Sequence, residues 1–160
     1  IEYQDMKWRH FKLYGRDLFT DITIENKNMK LQIEEELRAK YIRIREIYFA
    51  SHTIGILKKV IFKMISSLNI LLKFLIYIEL FNNPDKYRSV IGNEKIADVI
   101  KKFSGADIYD FLKFNFGLKL DKMRDFYNYK YKNIKVDIDD DSFLAIIDEW
   151  QYLIDFIDGY

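Results

Sequence analysis

The stretch from Thr53 to Phe81 constrains this chain more than any other, because between Met64 and Phe81 it is apolar almost all round. A helix with that pattern must be covered on every side, either by lipid or by neighbouring helices. A membrane-spanning helix needs about 20 largely uncharged residues. Here Lys58, Lys59, Lys63, Lys73 and Glu79 interrupt the run, and its longest clean window, Met64–Leu72, is nine residues. The expectation is therefore a central core helix and no membrane partner.

Covering such a helix calls for others like it. Six glycines and one proline in 160 residues leave little strand–turn–strand punctuation, which favours helices. Asn28 is a candidate cap for a helix running to about Ala50. Its first turns carry Glu34, Glu35 and Glu36 and its later turns Arg38, Lys40, Arg43 and Arg45. That order suits the helix dipole and sets up Glu34–Arg38 and Glu36–Lys40 pairs one turn apart. Ile33, Leu37, Tyr41, Ile44 and Tyr48 fall on one stripe. Pro84 closes the central helix. Asn93 is expected to cap a helix ending at Phe103, where Ser104-Gly105 is the stop. Asp107 is expected to cap Ile108–Phe116, ended by Gly117. A Tyr/Lys-rich segment spans about Leu120–Tyr131. The last helix, about Asp141–Asp158, buries Phe143, Ile146, Ile147, Trp150, Leu153, Ile154 and Ile157.

The expected fold is thus all-α, an antiparallel bundle of five or six helices behind a short extended N-terminal segment. Residues 1–26 read as a lead-in, with an amphipathic stretch at Lys7–Tyr14 and an alternating one at Asp21–Glu25. Residues 27–160 read as the bundle.

Charge is near balance overall, at +1, so the whole molecule has no pull towards nucleic acid. Its distribution is uneven. Arg38–Lys73 holds eight Lys/Arg against Glu46 alone, whereas Asp137–Tyr160 holds eight Asp/Glu and no Lys/Arg. Either these segments lie together and neutralise each other, or the basic one faces a phosphate-bearing ligand or an acidic domain. Within it, Arg38 and Arg45 share a face, while Lys40 and Arg43 lie about 140–160° away, beside Glu36. Arg38, Lys40, Arg43 and Arg45 are the candidate substrate-binding residues.

Catalytic constellations are sparse. The chain has no cysteine, no Gly-rich phosphate loop, no His-Glu-x-x-His and no Gly-x-Ser-x-Gly. Asp137, Asp139, Asp140 and Asp141 lack calcium-loop spacing and suit a solvated turn with a helix cap, and no metal ligand is assigned. The absent cysteines and the charged N-terminus, which has no secretory h-region, fit a cytoplasmic protein. Arg45 and His52 resemble, at its longest spacing, the Arg…His pair of HEPN ribonucleases, helical bundles in which the two act on an RNA phosphodiester. The cation would meet phosphorane charge and the imidazole would handle protons. The tyrosine- and phenylalanine-rich stretch Phe111–Tyr131 is either core or a patch for a protein partner.

The run Ile1–Gly15 followed by Arg16-Asp-Leu-Phe19, and the helix Leu31–Arg45, resemble the interdomain junction of bacterial and archaeal nucleotidyltransferase-like proteins of the DNA polymerase β superfamily. The resemblance implies a C-terminal helical domain arranged as in aminoglycoside nucleotidyltransferases, where it shapes the substrate cleft and often the dimer interface. It places a catalytic domain upstream in the same chain, with Gly-Ser and Asp-x-Asp motifs. It also implies magnesium and a nucleoside triphosphate for the full-length protein, with no cofactor held by this chain alone. Glu2 or Asp5 could stand near that centre, though neither matches a catalytic motif. The expected function is therefore substrate-cleft and subunit contacts, a homodimer included. The alternatives are a HEPN-like RNA-binding or ribonuclease bundle and a non-catalytic interaction bundle.

Overall fold

The computed structural model describes residues 6–7, 10, 14, 25–51, 53–135 and 139–159. Among the described residues there are seven helices and no strand: α1 (Asn26–Ser51), α2 (Ile54–Asn82), α3 (Arg88–Ile91), α4 (Ile96–Lys102), α5 (Gly105–Phe116), α6 (Asp121–Lys132) and α7 (Asp140–Gly159). The all-α bundle expected from the pattern is what the chain forms. One helix beyond the expected six is α3, a single turn between Pro84 and Gly92. The alternating stretch at 21–24 and most of 1–20 lie outside the described residues.

The apolar run is central because four helices need it. α2 packs against α1, α4, α5 and α6, and α7 closes the bundle against α1 and α6. From Leu68 to Leu80 most of its side chains are buried, including Leu72, Phe74 and Ile76. α2 has the length and hydropathy of a membrane-crossing helix, and here its neighbours take up most of that apolar surface. Its one buried acid, Glu79, accepts hydrogen bonds from Tyr87 Oη (2.8 Å), Asn83 Nδ2 (3.1 Å) and Lys86 Nζ (3.2 Å). Those bonds tie the end of α2 to the turn that follows.

α1 buries Met29, Ile33, Leu37 and Ile44, with Tyr41 and Tyr48 half-buried beside them, which is the expected stripe. α7 buries the expected set, Ile147 only partly, and Trp150 Nε1 donates to the Leu37 carbonyl (3.2 Å), pinning α7 to α1. Much of Phe111–Tyr131 is core: Phe111, Leu112 and Phe126 are buried, whereas Phe114 and Tyr131 are exposed.

Three expected caps fall elsewhere. α1 begins at Asn26, so Asn28 lies inside it. α4 begins after Lys95, with no side-chain cap from Asn93. α5 is capped by Ser104, whose Oγ accepts from the Asp107 backbone N–H while the Asp107 carboxylate accepts from the Ser104 N–H (2.7 Å). This capping box makes Ser104 a start rather than a stop, and Asp107 its third residue. Asp139 supports the start of α7, accepting from the Ser142 N–H (2.9 Å).

Candidate functional site: a cationic groove between α1 and α2

The two expected ion pairs on α1 form. Arg38 Nη2 lies 3.3 Å from Glu34 Oε1, and Lys40 Nζ lies 3.0 Å from Glu36 Oε2. Arg38 also reaches Asp158 on α7 at 2.5 Å. The basic and acidic ends of the chain therefore meet at this residue, and part of the uneven charge is neutralised internally. Arg45 sits over the Tyr41 ring, 5.4 Å from its centroid, a cation–π contact.

Arg43 behaves differently. With Lys40 it lines a groove of about 340 Å³ whose other wall is α2, through Val60, Lys63, Met64 and Ser67. Lys40 has Glu36, but neither Arg43 nor Lys63 has a counter-charge among the described residues. α1 ends at Ser51 and α2 begins at Ile54, and the packing of one against the other brings Arg43 and Lys63 to the same groove. Two unpaired cations across one groove repel each other, and an anion between them reverses that cost. Arg supplies a planar fork for phosphate or carboxylate, Lys a mobile point charge and Ser67 a hydroxyl. Val60 and Met64 give the groove an apolar floor.

Of the four expected substrate-binding residues, the structure brings Lys40 and Arg43 into this groove. Arg38 is committed to Glu34 and Asp158, and Arg45 to Tyr41, so neither lines it. Arg38 stands apart from the groove because the acidic α7 docks beside that face of α1. His52 lies outside the described residues. Lys63 and Ser67 escaped notice in the sequence because they lie on a separate helix. Their signal was Lys59 and Lys63, one turn apart, breaking an apolar run.

The magnesium implied by the nucleotidyltransferase resemblance needs convergent carboxylates. Among the described residues no group of three His, Asp or Glu side chains is placed to hold a metal. The described residues do not fit that ion, and no metal-dependent step is derived from them.

Glu149 could pass for a catalytic acid. Burial raises its pKa from the ordinary 4.5 to about 7, against the opposing pull of hydrogen bonds from the Lys122 and Met123 backbone N–H groups (2.8 and 2.9 Å). Those bonds occupy its oxygens, so Glu149 serves as a cap for the first turn of α6, supplied from another helix. Comparison with protein-family models, with curated proteins and with solved structures returns no match for this chain.

Proposed function

We propose that this chain is the helical domain of a nucleotidyltransferase-like protein and that its α1–α2 groove holds phosphate groups of the substrate. The observation that carries the proposal is the pairing pattern: Arg38 and Lys40 have acids, while Arg43 and Lys63 share a groove without one. In this arrangement the domain binds and orients, Arg43 as the bidentate contact and Lys63 as the mobile charge, and an upstream domain supplies metal and chemistry.

Titration of the chain with a nucleoside triphosphate tests the groove. Saturable binding that weakens with salt and disappears in Arg43→Ala with Lys63→Ala is the expected result. Binding unchanged in that double variant overturns it. The family assignment is tested separately by the coding frame before Ile1. An open frame with Gly-Ser and then Asp-x-Asp supports it, and a start codon directly before Ile1 overturns it.

One observation favours subunit contact as a second reading. Leu31, Ile42 and Phe49 are 55%, 56% and 65% exposed and share a single stripe of α1. Light scattering on Ile42→Ser with Phe49→Ser is expected to show a dimer reduced to monomer. A wild-type chain that is already monomeric removes this role.

A further inference from the structure

A second pocket, of about 280 Å³, opens on the opposite flank of α2, between α5 and α6. Donor groups converge on it from three helices.

The first is Asn69, only 9% exposed within the apolar stretch of α2. Its Oδ1 accepts from Tyr109 Oη (2.9 Å), and burial drives the Tyr109 pKa far upward, so this phenol stays a neutral donor. With Oδ1 turned to that hydroxyl, the amide nitrogen lies on the other side of the side chain. No hydrogen bond within the described residues engages Nδ2, and the residue, itself largely buried, lines the pocket wall with that donor uncommitted.

The second is Tyr131 at the pocket edge. Lys130 Nζ donates to Ser66 Oγ (2.5 Å), and Ser66 Oγ lies 2.6 Å from Tyr131 Oη. Lys130 can only donate, so Ser66 accepts from it and has its own proton available for Tyr131. A head-to-tail chain from Lys130 through Ser66 to Tyr131 is the cooperative arrangement, and in it the Tyr131 proton is free to point outward. Burial opposes ionisation of this phenol, but the Ser66 hydrogen bond and the Lys130 charge outweigh it and hold its pKa below the ordinary tyrosine value. A polarised phenol is a stronger hydrogen-bond donor.

The third is the start of α5, a helix of 12 residues. The capping box serves the Asp107 N–H, while the Gly105 and Ala106 N–H groups precede the first intrahelical bond. Gly105 lines the pocket because Tyr127 packs on its Cα: a Cβ there would stand 1.9 Å from Tyr127 Cζ. Lys73 adds positive charge at the same wall. The nearby Asp107 carboxylate is folded back on the Ser104 N–H and does not line the pocket.

We infer that this pocket is a binding site for a small oxyanion, a phosphate or carboxylate group, held by Asn69 Nδ2, Tyr131 Oη and the N-terminal N–H of α5. The site is separate from the α1–α2 groove and does not depend on the function proposed for that groove.

Inorganic phosphate and, in a second titration, acetate are added to the 15N-labelled chain while the Asn69 side-chain amide and the Gly105 backbone amide are followed. Saturable shifts of both signals with at least one anion are expected, and the tighter of the two identifies the group. Tyr131→Phe, at a half-exposed position, is expected to keep the fold by circular dichroism. It should weaken binding about three- to tenfold, the worth of one hydrogen bond. Arg43→Ala with Lys63→Ala should leave these shifts unchanged. The inference is overturned if neither anion moves the two signals. It also fails if Tyr131→Phe binds as tightly as the parent, or if the double variant abolishes the shifts and so places the anion in the other groove.

Discussion

α2 presents two flanks, and cations meet different partners on each. On the α6 side, Lys58 donates to Tyr129 Oη (2.8 Å) with its ammonium 4.2 Å from that ring's centroid, and Lys130 donates to the Phe62 carbonyl and to Ser66. On the α1 side, Arg43 and Lys63 share a groove without an acid. The contrast comes from what each neighbour supplies. α6 brings tyrosines at 127, 129 and 131, whereas the later turns of α1 bring arginines and little acid. Tyrosine satisfies a lysine without neutralising it, so the α6 flank is knit together while Arg43 and Lys63 on the α1 flank keep their charge unpaired among the described residues. The lysines of the α6 flank are tied into its packing, whereas Arg43 and Lys63 on the α1 flank are tied to no acid among the described residues.

If that division is right, cuts on the α6 flank cost folding and cuts on the α1 flank do not. The largest loss is expected from Phe126→Ala. Its ring is fully buried between Phe62 and Phe143, with centroids 6.0 and 5.8 Å away, and removal should cost about 3–5 kcal/mol in urea unfolding. Gly105→Ala comes next, because Tyr127 must swing aside to admit the methyl. A loss of about 1–3 kcal/mol is expected, with the α5–α6 pocket reshaped.

A smaller effect is expected from pH. The fold keeps a proton on Glu149 up to about pH 7, whereas the unfolded chain releases it near 4.5. Between those values the native state binds more protons, so stability should fall as pH rises through the window. Glu149→Gln should flatten that slope in unfolding curves taken at several pH values, and an unaltered slope assigns it elsewhere. Arg43→Ala with Lys63→Ala should have the least effect on stability. No loss at the denaturation midpoint is expected, since the change removes a repulsion. A clear drop would show that the groove is part of the scaffold, and the contrast between the flanks would break.

The bundle was legible because its signals are local and redundant. The all-round apolarity of Met64–Phe81, the Ile33–Leu37–Ile44 stripe and Gly117, which takes a left-handed φ of 69° at the end of α5, each point to one answer. The caps were less legible because Asn93, Ser104 and Asp107 all carry cap chemistry, and spacing alone does not say which accepts from which. Half of the groove could be foreseen, since helical geometry puts Lys40 and Arg43 on one side of α1. Lys63 could not, because its place there depends on the register of α1 against α2. The same limit hid the relay of Lys130, Ser66 and Tyr131, whose members lie 64 and 65 residues apart. A lone amide at Asn69 in an otherwise apolar stretch was the one visible sign of the second pocket.

The cap that Glu149 supplies to α6 bears on the order in which the chain assembles. α6 carries three tyrosines, a phenylalanine and an asparagine in 12 residues, types that hold a helix weakly by themselves. Two amides of its first turn find their acceptor only when a segment 26 residues further along has docked. A growing or refolding chain therefore completes α6 late, after its final helix has come home, and the Lys122 and Met123 amides should gain protection from hydrogen exchange in step with α7.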